Sequence, residues 1–255
     1  MEANANPYEQ YYLHKGILSV VMPAYNEGTH IYDNLRSASD QLCVFATNYE
    51  IILVNDGSTD NTEAEAKRAA AEDSHIQVIS YMPNRGKGGA IREGILHAIG
   101  EYIAFCDADL DLKPAQLRAF LYELDEQDAD IAIGSKLHKD SKLDYPLSRK
   151  IMSIGYYVIL HTLFHLHIKD TQTGLKLFRA DTIRPIMQDM HTNGYAFDIE
   201  ILATAAMHNK KMIEMPVEII FTRANEHKGS RIGFKDALKV LGDTMAIRRQ
   251  LKHNQ

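Results

Sequence analysis

The stretch Tyr102-Ile103-Ala104-Phe105-Cys106-Asp107-Ala108-Asp109-Leu110-Asp111 constrains the chain more than any other, because five apolar residues end abruptly in three alternating carboxylates. A short apolar run with β-branched and aromatic members predicts a strand buried on both faces, as in parallel sheets. Ligands of open α/β sheets bind beyond the carboxyl ends of such strands, where Asp107 falls. If strand geometry continues, Asp107, Asp109 and Asp111 point to one side and crowd their charges together. Crowded carboxylates need a cation. A hard divalent ion with oxygen ligands, Mg²⁺ or Mn²⁺, is the expected answer, especially if it also binds substrate phosphates. The alternative is a solvated Asp-rich turn capping the helix that follows Pro114.

The same arrangement, a strand stopping in polar residues, recurs upstream. Ile17 to Pro23 reads as a first strand, stopped by a proline and followed by the loop Ala24-Tyr25-Asn26-Glu27-Gly28. Helical spacing from Ile31 to Cys43 leads to a second strand, Glu50 to Asn55, that runs into Asp56-Gly57-Ser58. Asp60 and Glu63 form a capping-box pattern for a helix to about Ala71, and His75 to Ser80 supplies a third strand. Asn84-Arg85-Gly86-Lys87-Gly88-Gly89-Ala90 then opens a helix to about Ile99. Its glycine spacing fits neither the dinucleotide fingerprint nor a P-loop. An anion-holding helix start, aided by Arg85 and Lys87, and a plain flexible turn both remain open. Pro114 suits the first turn of another helix, ending before Ala132-Ile133-Gly134. Four or five such βα units predict an α/β fold with a mainly parallel sheet covered by helices on both faces. The expected division is an extension over 1–16, a catalytic domain over 17–232 and a basic amphipathic helix over 233–255.

Charge and cysteine use narrow the setting. Two cysteines, Cys43 and Cys106, give no disulfide framework and predict a reducing, cytoplasmic compartment. The start of the chain lacks the basic and apolar blocks of a signal peptide, and no run reaches the length of a spanning helix. A net charge of −6 argues against nucleic-acid binding, yet from Arg223 onward eight Lys/Arg face three Asp/Glu. Ile151 to His167 is apolar and aromatic, with Arg149-Lys150 and Lys169 at its flanks. It suits a helix lying in a lipid interface or one buried in the core. His161, His165 and His167 on it have no carboxylate companion and are not expected to bind metal. Phe234 to Leu251 reads as a second amphipathic helix, and the basic tail would add attraction to anionic lipid. The expectation is a protein peripheral to the cytoplasmic face of a membrane. Oligomeric state is not legible.

With Pro23, Tyr25 and Glu27 after the first strand, Asp56-Gly57-Ser58 after the second and Asp107-Ala108-Asp109 after the fourth, the pattern resembles inverting family 2 glycosyltransferases of the GT-A (Rossmann-like) fold. Gly134-Ser135-Lys136, Arg149, the run Asp170-Thr171-Gln172-Thr173-Gly174-Leu175-Lys176-Leu177-Phe178, and Gly194 to Glu200 are similar to the polyprenyl-phosphate glycosyltransferases. Within these, the second half looks most like the dolichyl-phosphate glucosyltransferase group, with the dolichyl-phosphate mannose synthases next. The resemblance implies that Pro23, Tyr25, Glu27 and Asp56 hold the donor nucleoside, with Val54 lining the base pocket. It places Asp107, Ala108 and Asp109 on the metal and diphosphate motif, with Asp111 as a further metal-side oxygen, and Arg223 and Arg231 near the diphosphate.

What the resemblance implies is transfer of glucose or mannose from UDP-glucose or GDP-mannose to a polyprenyl phosphate, dolichyl or undecaprenyl. A departing nucleoside diphosphate gains charge, so the metal, Arg223 and Arg231 would act electrostatically. A phosphate acceptor is mostly ionised at neutral pH and needs cations rather than a strong base, for which Lys136 and Arg149 are the candidates. Asp109 completes the centre, and Asp170 takes an orienting or base role. A hydroxyl acceptor on a glycan or protein would make the base role necessary. A catalytically idle nucleotide-sugar-binding subunit of a membrane assembly is a third reading, opposed by the intact Asp107, Asp109 and Asp170. A dinucleotide oxidoreductase is disfavoured by the absence of a glycine fingerprint after the first strand.

Overall fold

A computed structural model describes residues 12–142, 160–164, 166, 168–194, 196–220, 242, 244–249 and 251. Seven strands form one sheet in the order β3-β2-β1-β4-β6-β5-β7. They are β1 His14–Ala24, β2 Ala46–Asp56, β3 Ile76–Tyr81, β4 Tyr102–Cys106, β5 Ile131–Ser135, β6 Leu175–Arg179 and β7 Met212–Pro216. β1 pairs in parallel with β2 and β4, as do β2 with β3 and β5 with β7. Only β6 runs the other way, antiparallel to both β4 and β5. The helices are α1 Ile31–Leu42, α2 Thr62–Glu72, α3 Lys87–His97, α4 Leu117–Glu126, α5 Ala180–Asp189 and α6 Phe197–Met207. This is the expected mainly parallel sheet flanked by helices.

Both faces of the sheet are apolar, so burial on both sides follows. One core gathers Val20, Met22, Leu53, Ala104 and Leu177 under α1, α2 and α4, and the other gathers Val21, Ile52, Phe105, Ile133 and Phe178 under α3, α5 and α6. Alternation along each strand sends successive side chains to opposite cores. Burying a Leu, Ile or Phe contributes roughly 1.5–3 kcal/mol each. The central strands are therefore the most firmly held part of the molecule, and their carboxyl ends make a rigid platform.

Several boundaries differ from the sequence expectation. β1 begins at His14, inside the stretch assigned to an extension, because His14 donates its N–H to the Phe45 carbonyl at 2.6 Å. It also continues through Pro23, which pairs with Val54, after its pairing with β4 has ended at Val21. The proline's missing N–H thus falls where a neighbour strand has already left. The Asp60 cap takes a different form: α2 starts at Thr62, and Asp60 accepts from the Thr62 N–H and the Gly28 N–H, both at 3.0 Å. Pro114 opens a short 3₁₀ turn, Pro114–Gln116, that runs into α4.

Candidate active site

The chain delivers polar groups from β1, β2, β4 and β5 to one end of the sheet, and a web of loop contacts fixes them. Asn26 takes a left-handed backbone, φ 55°, and its N–H donates to Ser58 Oγ at 2.9 Å while its Oδ1 accepts from the Thr59 N–H at 2.9 Å. The Glu27 N–H donates to Thr62 Oγ1 at 2.8 Å. The loops after β1 and β2 are therefore one unit, which brings Pro23, Tyr25 and Glu27 beside Asp56. Tyr25 is 51% exposed and offers a free ring face for stacking.

Asp56 is buried and accepts from the N–H of Arg85 at 2.7 Å and of Gly86 at 2.9 Å. Gly86 has φ 88°, and a Cβ there would sit 2.6 Å from the Asn193 carbonyl oxygen, so only glycine fits this turn. The Gly88 N–H goes to the same Asn193 oxygen at 2.9 Å. These glycines let the start of α3 press against residues 191–194, with the Gly86 N–H given to Asp56 and the Gly88 and Gly89 N–H groups to the Asn193 carbonyl. The turn is thus packed rather than flexible. Its Lys87 side chain nevertheless reaches the site, with Nζ 2.5 Å from Asp107 Oδ1.

Beyond Cys106 the strand stops and turns. The Leu110 N–H bonds back to the Asp107 carbonyl at 3.3 Å, and Leu110 has φ 56°. That turn ends the period-two alternation, so Asp107, Asp109 and Asp111 do not share one strand face. Among the described residues no group of three His, Cys, Asp or Glu side chains converges to hold a metal. The expected three-carboxylate cluster is corrected to a turn in which Asp109 Oδ1 accepts from the Asp111 N–H at 3.2 Å. Asp107 lies against Gly174, whose Cβ would come within 2.1 Å of Asp107 Oδ2, so its carboxylate is aimed by the start of β6. Asn34 Nδ2 donates to the Ala108 carbonyl at 2.7 Å and pins the turn to α1. Mg²⁺ is usually held by one or two carboxylates plus substrate phosphates. Asp107, 30% exposed at its side chain, and Asp109 fit that donor set with hard oxygens.

On the far side of β4, Asp170 is 7% exposed and accepts from the Lys136 N–H at 2.9 Å and from Thr173 Oγ1 at 2.6 Å, with Lys136 Nζ 3.2 Å away. Burial pushes its carboxyl up, but the Lys136 ammonium and these hydrogen bonds outweigh it and hold Asp170 below the usual carboxylate range. A carboxylate so stabilised is a weak base. Lys176, fully buried on β6, donates to the Thr173 carbonyl and to Asp198 Oδ1, both at 2.7 Å. Burial pushes Lys176 down and Asp198 up, each toward its neutral form, against the attraction between them. Glu200 accepts from the His191 and Thr192 N–H groups at 3.0 and 2.8 Å, which settles it as a cap for that loop.

Not every residue expected in the site reaches it. Val54 is 0% exposed, and its Cγ2 lies 3.0 Å from where a Cβ of Gly94 would be, so its side chain fills the core under α3. As a side-chain contact to a base it is corrected. Arg149, Arg223 and Arg231 lie outside the described residues. Ile220 donates its N–H to the Asp111 carbonyl at 3.0 Å, which anchors the segment preceding Arg223 beside the carboxylate turn. Lys87 was expected only as an aid to an anion-holding helix start, and Lys176 was given no separate role. The visible signal for Lys176 was a lysine at the centre of the apolar run Leu175-Lys176-Leu177-Phe178.

Comparison with known proteins fits this geometry. The dolichyl-phosphate beta-glucosyltransferase of Saccharomyces cerevisiae is 32% identical over 251 residues, covering 91% of this chain and 74% of that protein. The Homo sapiens protein of the same name is 31% identical, again covering 91% and 74%. Among solved structures, glucosyl-3-phosphoglycerate synthase from Mycobacterium tuberculosis in complex with Mn²⁺, UDP-glucose and phosphoglyceric acid superposes with a TM-score of 0.66 at 17% identity, covering 91% of this chain and 80% of that one. The family model for glycosyl transferase family 2 matches residues 19–192, which contain every strand-end carboxylate described above, and the chain belongs to that family.

Proposed function

We propose that this protein transfers glucose from UDP-glucose to a polyprenyl phosphate, with inversion at the anomeric carbon. The observation that carries this reading is the state of its carboxylates. Asp170 is paired with Lys136, and Asp198 with Lys176, so both acids flanking the Asp107 turn are already partnered by lysines. Such a site is poor at removing a proton from a hydroxyl. It suits an acceptor whose oxygen is ionised on arrival, as a phosphate monoester largely is above its second pKa of about 6. The similarity to dolichyl-phosphate beta-glucosyltransferases over nine-tenths of the chain supports the same acceptor class.

Each residue then has a task. Tyr25 stacks on the uracil ring, and Glu27 and Asp56 accept from donor hydroxyl or N–H groups. Asp107 and Asp109 would hold Mg²⁺ or Mn²⁺ together with the diphosphate, and the ion when bound supplies charge stabilisation for the leaving group. Lys87 faces the same carboxylate and can offset the diphosphate charge as the bond breaks. Lys136 draws the acceptor phosphate toward the sugar, with Asp170 holding its backbone and ammonium in place. Arg149, Arg223 and Arg231 add cations to the two phosphates.

The acceptor is a lipid, so the protein works at a membrane surface, here assigned to the cytoplasmic face. Among the described residues no helix is long and apolar enough to cross a membrane. Ile247, in the helical segment 244–249, packs with Leu160, Ala196 and Ile199, so these described parts of the 233–255 and 151–167 stretches cover the domain beside α6. The test is incubation with labelled UDP-glucose, Mn²⁺ and polyprenyl phosphate, followed by organic extraction. Label in the organic phase, released by mild acid as free glucose, is expected, with a β-anomeric coupling in the NMR spectrum of the intact lipid phosphosugar. Equal or greater transfer to a glycan or peptide hydroxyl, with none to the lipid, would overturn the assignment.

A further inference from the structure

Lys176 is placed where a lysine is costly. It stands opposite Phe105 on β4 and Ile133 on β5, at 0% exposure, with its ammonium 4.9 Å from the centre of the Phe105 ring. A buried ion pair is often no more stable than an apolar pair of similar volume, so stability alone does not account for Lys176 and Asp198. What the pair does provide is a fixed distance between two segments. The Thr173 carbonyl that Lys176 holds belongs to the turn whose Thr173 hydroxyl bonds Asp170 at 2.6 Å and whose Gly174 carbonyl accepts from the Asp107 N–H at 3.1 Å. Asp198 sits in the first turn of α6, where Phe197 packs so tightly on the Lys87 turn that a Cβ on Gly88 would come within 2.7 Å of its Cβ.

We propose that Lys176 is a positioning residue for the transfer reaction: through Thr173 and Asp198 its ammonium locks the Asp170–Lys136 pair, on the acceptor side, against the Asp107–Lys87 pair, on the donor side. The proposal rests on the functional reading above and adds to it the group that sets the spacing between the two substrates. Lys176 touches neither substrate. Its removal leaves the donor half intact and lets the acceptor half drift relative to it. A displacement of the order of 1 Å between reacting groups costs roughly 10²-fold in rate.

The experiment uses the full chain with the double variant Lys176→Met, Asp198→Asn, which removes both buried charges together, alongside Lys176→Met alone. Thermal melting, UDP binding with Mn²⁺ by calorimetry, and kcat and KM for UDP-glucose with polyprenyl phosphate are measured on each. The double variant is expected to melt close to the wild type, bind UDP unchanged and keep its UDP-glucose KM, while kcat falls roughly 10²-fold. The single variant removes the cation hydrogen-bonded to Asp198 and leaves it only the attraction of Lys87, so it should melt lower and show the same loss of kcat. A double variant that folds and turns over like the wild type would overturn the proposal. Should it fail to fold, the apolar pair Lys176→Met, Asp198→Leu gives the same readout, and an unchanged kcat there counts equally against it. A wild type that glucosylates no polyprenyl phosphate removes the functional reading and the proposal with it, whereas an active wild type matched by its variants removes the proposal alone.

Discussion

The two ends of the same sheet bury carboxylates in different company. Toward the amino end of β4, Glu50 is 5% exposed and accepts from Ser19 Oγ at 2.5 Å, the Ile99 N–H at 2.8 Å and Gln77 Nε2 at 3.0 Å. At the carboxyl end, Asp107, Asp170 and Asp198 each meet a lysine, at 2.5, 3.2 and 2.7 Å. Neutral donors rooted in strands and turns cannot leave, so the first arrangement is a permanent brace. Lysines on flexible stems can exchange one anion for another when a ligand arrives, and they do so without rebuilding the backbone. The brace fixes the loop between α3 and β4; on the proposed function Lys87 and Lys136 hold charge in the site for substrate to replace, while the fully buried Lys176–Asp198 pair stays as a lock.

The sharpest way to break this contrast is Asp107→Asn. The Lys87–Asp107 pair is partly solvent-exposed, so its loss should leave melting nearly unchanged. Transfer, by comparison, should fall roughly 10²–10³-fold, since one of the two carboxylates proposed to hold the cation beside the leaving diphosphate loses its charge. A variant that keeps wild-type turnover would remove Asp107 from the centre. Glu50→Ala is the mirror experiment at the other end. It leaves three donors without their acceptor, for a loss of about 2–3 kcal/mol and a melting point lower by roughly 5–10 °C. Turnover per folded molecule, measured well below that temperature, should stay within a factor of two. Loss of turnover without loss of stability would show that the two ends are not separable.

A smaller effect separates two roles for Asp170. Because Lys136 and Thr173 hold its carboxyl below the usual range, Asp170 is already ionised throughout the working pH range. Asp170→Asn should therefore lower kcat by about tenfold through loss of Lys136 placement, and leave the acid limb of the pH profile where it was. On the proposed function that limb is expected from the acceptor phosphate, near pH 6. Movement of the limb in the variant would identify Asp170 as the titrating base.

Much of this contrast was legible in the sequence, and the exceptions have physical causes. Strands that end in Pro23, Asp56 and Asp107 announce a parallel sheet with its site at one end, since an apolar run closed by acids has few other uses. The three-carboxylate cluster was over-read because alternation holds only while the strand lasts, and Leu110 at φ 56° ends it. Val54 was misplaced for a related reason: a strand end looks alike whether its last side chains face the ligand or the helix above, and Gly94 decides the matter from forty residues away in sequence. β6 was not assigned as an element, because an antiparallel strand inside a parallel sheet has no βα unit to announce it. Lys176 shows the limit most clearly. Its partner Asp198 is 22 residues distant, and no local pattern pairs them.

The smallest expected effect lies at the amino end and concerns pH. His14 is 4% exposed, with Nδ1 3.3 Å from the Tyr12 hydroxyl and its ring edge-on to Tyr102 at 4.9 Å. Burial lowers its pKa from 6.5, and the nearby Asp125 and Glu101 offset this only in part. The unfolded chain therefore takes up the proton first as pH falls. The stability that depends on neutral His14 is complete above about pH 6.5 and declines below it, through the lower pKa of the folded state. Replacing His14 by Phe removes this titration and leaves the carboxyl-end lysine pairs untouched. Between pH 7.5 and 5.5 the wild type should thus lose more of its melting temperature than the His14→Phe variant, by an amount of the order of a few degrees. Transfer activity at pH 7.5 should be the same in both. Parallel melting curves across that interval would show that His14 does not report on acid.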